Sequence, residues 1–234
     1  MTEIGLIDSV IESAGPVALI GGGDVPGAVA ERVLGMAGAV VGADGGAEWL
    51  LRRGRMPDAV IGDMDSLTPR WSRRLPPERL HRVTEQDSTD FEKCLTRIEA
   101  PLVLGVGFLG AQVDHMLAAF SVLARFPDRP CLLAGSNDVV FHAPPRLRLT
   151  LGRGARFSLY PMRQVSGHSV GLEWPIDGVT FAPDARVGTS NRVRGPVELS
   201  FDGPGMLVIL PVAALADVVA ALLGSDARWP ALAG

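Results

Sequence analysis

Only two cysteines occur in the chain, Cys94 and Cys131, one on an expected helix face and one in an expected strand. There a buried thiol acts as a small apolar group, so neither a disulfide framework nor a zinc site organises this fold. Clustered positive charge is also missing. The 22 Lys and Arg are scattered among 26 acids, with a formal net charge of −4, so the electrostatic footprint of a nucleic-acid binder is absent. The densest basic group, Arg70, Arg73, Arg74 and Arg79, lies around Pro76 and Pro77 and reads as a solvated linker. No hydrophobic run is clean enough to span a membrane. Met206 to Leu223 comes nearest, but Pro211 and Asp217 break it into a buried strand and a packed helix. The N-terminal stretch carries Glu3, Asp8 and Glu12 without a basic n-region, which argues against a secretory signal and for a cytoplasmic protein. There is no G-x-x-x-x-G-K-[ST] loop, no internal repeat and no low-complexity tract.

What remains is an ordinary globular composition, 47% hydrophobic and 21% charged over 234 residues, enough for one large or two small domains. Val17 to Ile20 is a short apolar run ended by Gly21-Gly22-Gly23-Asp24, after which Pro26 opens a helix reaching Met36. Ala39 to Ala43 is a second strand ending at Asp44, with a short helix from Ala47 to Arg53. Strands at Val60-Ile61, Leu102 to Val106 and Cys131 to Ala134 follow, with helices at 88–98 and about 115–125 between them. This alternation predicts an α/β fold: a doubly wound parallel sheet over residues 1–144. Past Ala143-Pro144-Pro145 the pattern changes to short alternating segments broken by Gly and Pro, which predicts an antiparallel β-sandwich over residues 145–234.

The glycine loop after the first strand invites a dinucleotide reading, with Asp44 placed as a ribose-binding acid, but Pro26 occupies the third glycine position. The denser signal lies between residues 62 and 93. Val60-Ile61-Gly62 runs into Asp63 and Asp65, two carboxylates one residue apart at a strand end. Oxygen ligands without nearby His or Cys suit Mg²⁺, while a turn or helix cap uses the same residues. Gln86-Asp87-Ser88-Thr89-Asp90-Phe91-Glu92-Lys93 then crowds three acids and a lysine into a helix start. Thr89 and Glu92 have capping-box spacing, and Phe91, Cys94, Leu95 and Ile98 recur with helical period.

In order and spacing, Asp44-Gly45-Gly46, Pro57-Asp58 with Gly62-Asp63-Met64-Asp65-Ser66, Asp87 to Lys93, Asp114-His115 and Ser190-Asn191 resemble the thiamine pyrophosphokinase family. The resemblance runs from about Gly21 to about Leu210. It implies transfer of pyrophosphate from ATP to the hydroxyl of thiamine, giving thiamine diphosphate and AMP. It further implies that Asp63 and Asp65 hold Mg²⁺, and that Asp87, Asp90, Lys93 and Asp114 serve the reaction. Asp44, Gly45, Gly46, Gln86, Ser88 and Thr89 would face the nucleotide, and Ser190 and Asn191 the thiamine. Lys93 is either a phosphate-neutralising group or an exposed partner of Asp90, and Asp114 either a plain N-cap or a ligand-facing acid. Where the family has an arginine, this chain has Gln112, and Arg192 is one candidate to replace it. Trp174, in a further family-like stretch, reads as core. A homodimer goes with the resemblance. The residues read phosphates and not the acceptor, so a pterin pyrophosphokinase, or an inactive nucleotide- or thiamine-binding protein, stays open.

Overall fold

The computed structural model describes residues 8–110 and 112–232; Glu3, used above, lies outside them. The chain divides into two compact units between Ala119 and Phe120, upstream of the compositional change at 144–145.

The first unit contains β1 (Ile11–Glu12), β2 (Val17–Ile20), α1 (Gly27–Leu34), β3 (Ala39–Ala43), α2 (Gly46–Arg52), β4 (Ala59–Gly62), α3 (Pro69–Ser72), β5 (Leu80–Arg82), α4 (Asp90–Leu95), β6 (Ile98–Glu99) and β7 (Val103–Val106). Helix α5 (Val113–Arg125) carries the chain onward. The strands pair in parallel in the order β5-β4-β3-β2-β7. Every residue of β2, β4 and β7 is buried, as the apolar runs require of strands covered on both sides. The chain leaves β2 outward through β3, β4 and β5, then returns to β7 on the other flank of β2. That reversal is the switch point at which sheets of this kind bind ligands beyond their strand ends.

Two expectations need correction here. The arginine-rich stretch is not a linker: Leu67, Trp71 and Leu75 bury against Ala47, Leu51 and Val60, which fixes the segment following Asp63. The expected helix 88–98 stops at Leu95, because the Thr96 hydroxyl donates back to the Glu92 carbonyl at 2.8 Å and Ile98 is drawn into β6 beside β1. Tertiary pairing overrides the helical period at that position.

The second unit contains β8 (Cys131–Ala134), β9 (Asp138–His142), β10 (Arg146–Leu149), β11 (Arg156–Pro161), β12 (Val165–Leu172), β13 (Thr180–Phe181), β14 (Thr189–Phe201), β15 (Met206–Pro211) and α6 (Leu215–Leu223). Its pairings are antiparallel, in the order β8-β9-β15-β11-β14-β12-β13. The long β14 changes partners along its length. Thr189 to Arg192 pair with β11, whereas Val197 to Ser200 lie between β10 and β12. Strands β8 and β9 pair antiparallel, and β9 pairs in turn with β15. Among the described residues no helix is long and apolar enough to cross a membrane. Cys94 and Cys131 are free and buried, and burial pushes both thiols up, out of the reactive range.

Candidate functional site

Three strands of the first unit end in polar residues that converge. β2 runs into Gly21-Gly22-Gly23, β3 into Asp44 and β4 into Asp63. They line a cavity of about 640 Å³, closed by the start of α4 and by Phe108 and Gln112. The backbone there is tight. Helix α2 begins so close to the end of β2 that a Cβ on Gly46 would stand 1.9 Å from the Ile20 carbonyl oxygen, so only glycine fits. Asp44 has a left-handed φ of 42°, a conformation with a steric cost for any residue bearing a Cβ, and it is nearly fully buried.

The electrostatic centre is Lys93, the only lysine in the chain and a buried one. Its Nζ lies 3.4 Å from Asp90 Oδ1 and 3.6 Å from Asp63 Oδ2. The ion pair with Asp90 exists as expected, but the lysine is not exposed. Thr89 caps α4, its hydroxyl oxygen accepting the Glu92 N–H at 3.2 Å, which aims Asp90 and Lys93 from the first turn. Asp63 accepts the Asp65 N–H at 3.1 Å and the Gln86 side-chain amide at 3.3 Å. The Asp65 N–H, chief among the groups acting on Asp63, holds its carboxyl below the usual range. Asp90 goes the other way: burial raises its proton affinity, and Lys93 only partly offsets this.

Asp44 Oδ2 accepts the Ser66 N–H at 3.1 Å, while Asp44 Oδ1 is buried with no hydrogen-bond partner. A buried carboxylate oxygen left bare is costly, and a cation removes that cost. Among the described residues no three His, Cys, Asp or Glu side chains converge tightly enough to cage an ion alone. The bare Asp44 oxygen and the Asp63 carboxylate at the same cavity suit Mg²⁺, which takes one or two carboxylates and fills its sphere with water and phosphate oxygens.

Of the residues singled out in the sequence, Asp44, Gly45, Asp63, Gln86, Ser88, Thr89, Asp90 and Lys93 all line this cavity. Asp65 and Asp87 are exposed and do not line it; each has its backbone N–H bound to a neighbouring carboxylate, Asp63 and Glu85 respectively. Asp114 is exposed in the first turn of α5, inside the helix and not at its N-cap, whereas Gln112 and His115 face the cavity. Ser190 and Asn191 belong to the second unit. Asn191 is buried, and its side chain is used on main-chain groups: Oδ1 accepts the Trp174 and Arg192 N–H groups, and Nδ2 donates to the Trp174 carbonyl at 2.6 Å. Trp174 is 52% exposed, not core.

The sequence reading missed Glu48. It lines the cavity from α2, accepting the Thr68 N–H at 2.8 Å and pairing with Arg52 at 3.0 Å. The Thr68 N–H is the main reason its carboxyl lies below the usual range. Nothing local marks it, since its orientation is set by the Thr68 N–H far along the chain.

Residues 30–133 match the family model for the thiamin pyrophosphokinase catalytic domain. Thiamine pyrophosphokinase 1 of Oryza sativa subsp. japonica is 29% identical over 157 residues, 59% of this chain and 60% of that protein. Thiamine pyrophosphokinase 2 of Arabidopsis thaliana is 25% identical over 169 residues, 62% of each. The chain thus spans about three fifths of the length of the curated relatives it matches. In fold it is similar to thiamin pyrophosphokinase from Geobacillus thermodenitrificans, with a TM-score of 0.71 at 22% identity over 84% of this chain and 96% of that one. Yeast thiamin pyrophosphokinase gives 0.68 at 16% identity over 94% and 96%. The stretch that is similar to the thiamin pyrophosphokinase catalytic domain contains Asp44, Asp63, Asp90 and Lys93, the groups gathered around one cavity.

Proposed function

We propose that this chain transfers the terminal pyrophosphoryl group of ATP to the hydroxyl of thiamine, releasing AMP. The observation that carries the reading is the cavity at the strand ends, where Asp63 and Asp90 flank a single buried lysine and one oxygen of Asp44, which lines the same cavity, lacks any partner. Such a transfer needs positioning and charge compensation more than covalent help from the protein. Asp44 and Asp63 would hold Mg²⁺, which supplies charge neutralisation to the phosphates when bound. Lys93 fixes the orientation of Asp63 and Asp90 and offers its remaining proton to a phosphate oxygen. Asp90, with its raised proton affinity, accepts the proton of the attacking hydroxyl. The oxygen–phosphorus bond forms at the β-phosphorus as the bond to the bridging oxygen breaks, and the electron pair leaves on AMP. A sandwich arrangement of the second unit, a homodimer and a cytoplasmic location go with this reading.

The test is AMP release by the purified chain with ATP and Mg²⁺, with thiamine or a hydroxymethyl pterin as acceptor. Thiamine-dependent AMP with equimolar thiamine diphosphate is the expected result. AMP release that follows the pterin, or no acceptor-dependent release at all, overturns the assignment.

A further inference from the structure

The outer face of β10, β14 and β12, in the second unit, carries charged groups that the chemistry at the strand ends does not use. Antiparallel pairing sets the exposed side chains of these strands in two cross-strand rows. One row is Arg148, Glu198 and Val170; the next is Arg146, Ser200 and His168. In the first, the central acid pairs with its neighbour, Arg148 Nε lying 3.3 Å from Glu198 Oε1. In the second, a serine takes the central place, so Arg146 has no carboxylate opposite it. Among the described residues the Arg146 guanidinium has no ion-pair partner and the Ser200 hydroxyl no hydrogen bond.

On the other side of Ser200, His168 Nδ1 meets Asp177 Oδ1 at 2.8 Å. That contact holds the Asp177 carboxyl below the usual range. An ionised carboxylate only accepts, so Nδ1 donates, and Nε2 has no partner among the described residues. The Ile176 N–H donates to the Ser169 hydroxyl at 3.0 Å, which ties the loop carrying Asp177 to β12. Strands in a sheet lie about 4.8 Å apart, so Arg146 and His168 stand roughly 10 Å from each other at the backbone, with Ser200 midway. One tetrahedral oxyanion bridges that span once the two side chains lean over the serine.

All three residues line a cavity of about 890 Å³, whose remaining walls include the end of α6 and the residues just after it. That is the size of a small-molecule site, and an oxyanion fills only part of it. Val170, Ala221 and Ala227 offer apolar surface to an organic group attached to the ion. Glu198 and Asp226 place two carboxylates at the same cavity, which disfavours a ligand with many negative charges.

We infer that Arg146, Ser200 and His168 form a binding site for a small phosphomonoester, its phosphate over Ser200 and its organic group against Val170 and the end of α6. The guanidinium supplies a charge-assisted fork and the serine one O–H. His168 Nε2 donates to the ion from a protonated ring, or accepts the O–H of a hydrogen phosphate from a neutral one. None of these residues lines the acid-lined cavity, so the site stands or falls apart from the transfer proposed above.

The experiment is calorimetric titration of the whole chain in EDTA, with inorganic phosphate and, separately, with phenyl phosphate. Without Mg²⁺ the acid-lined cavity, where Asp44, Glu48, Asp63 and Asp90 outnumber Lys93, repels both ions. Each ion is expected to bind once per chain, the ester at least as tightly as phosphate. Arg146→Ala, at an exposed position, weakens both about tenfold or more, the scale of one charge-assisted contact. Ser200→Glu sets a carboxylate opposite Arg146, as Glu198 is set opposite Arg148, and abolishes binding. Failure of the wild-type chain to bind either ion refutes the site, and so does binding that either substitution leaves unchanged. Exclusion of phenyl phosphate, or Arg146-dependent binding of ATP tighter than that of the monoester, overturns the ligand class.

Discussion

Lys93 Nζ sits 3.6 Å from Asp63 Oδ2 and 3.4 Å from Asp90 Oδ1, so one buried cation links the end of β4 to the start of α4. Lys93→Met keeps the length of the side chain and removes the charge, leaving two carboxylates facing each other. Turnover is expected to fall roughly ten- to a hundredfold, the scale of one charge-assisted contact. The pH profile gives a separate readout. Lys93 lowers the proton affinity of Asp90, so its loss moves the acid limb of activity to higher pH. An unmoved acid limb in Lys93→Met rules out Asp90 as the titrating base.

Asp44 and Asp65 make a contrasting pair. Asp44 faces the cavity with a bare oxygen, whereas Asp65 is exposed and contributes its backbone N–H to Asp63. Asp44→Asn is therefore expected to abolish measurable Mn²⁺ binding, followed by electron paramagnetic resonance of the free ion, and Asp65→Asn to retain most of it. Equal loss in the two variants would return Asp65 to the ion's coordination shell.

The acids at the strand ends were legible because each apolar run stops abruptly at a polar residue, at Ala43-Asp44 and at Gly62-Asp63. Both facts are local. Glu48 was not legible, since its orientation depends on the Thr68 N–H, far along the chain, and by itself it looks like any helix-surface glutamate. The end of α4 was missed for a similar reason. Ile98 continues the helical period but is claimed by pairing with Ile11 on β1. The pairing of β9 escaped composition too, because its partner β15 lies far downstream in the sequence. Patterning reads local periodicity, and long-range pairing decides these cases.

Gln112 lines the cavity, at the position where the resemblance drawn from the sequence implies an arginine. Gln112→Arg is expected to tighten ATP binding about tenfold if no other cation serves that phosphate. Arg192, the candidate replacement, is an exposed residue of β14. Should Gln112→Arg change neither ATP affinity nor turnover while Arg192→Ala is severe, the compensation lies in Arg192.

Asn191 bonds to both main-chain polar groups of Trp174, so Asn191→Ala leaves buried partners unmatched and is expected to cost roughly 1–3 kcal/mol in stability. Ser190→Ala, at an exposed position, should stay within about 0.5 kcal/mol of wild type. Chemical denaturation of the two single variants separates them. If Ser190→Ala is folded like wild type yet raises the apparent KM for thiamine and not for ATP, Ser190 faces the acceptor. Equal stability of Asn191→Ala and wild type would show that the Trp174 clamp contributes nothing.

His142 Nε2 accepts the Gly205 N–H at 2.7 Å, and burial, helped by the charge of Arg163, lowers its pKa from 6.5 to about 4. The unfolded chain thus takes up a proton that the folded chain refuses. Above about pH 6.5 the two states are equally deprotonated and this group leaves stability unchanged with pH. Between 6.5 and about 4 the unfolded state binds more protons, so stability falls as pH falls, by roughly 3 kcal/mol in all at 1.36 kcal/mol per pKa unit. His142→Gln keeps a hydrogen-bond acceptor but cannot titrate. Its unfolding free energy, measured in urea at pH 7.0 and 4.5, should decline less than that of wild type over the same interval. An equal decline in both proteins would mean that carboxylate protonation, and not His142, sets the acid sensitivity of the fold.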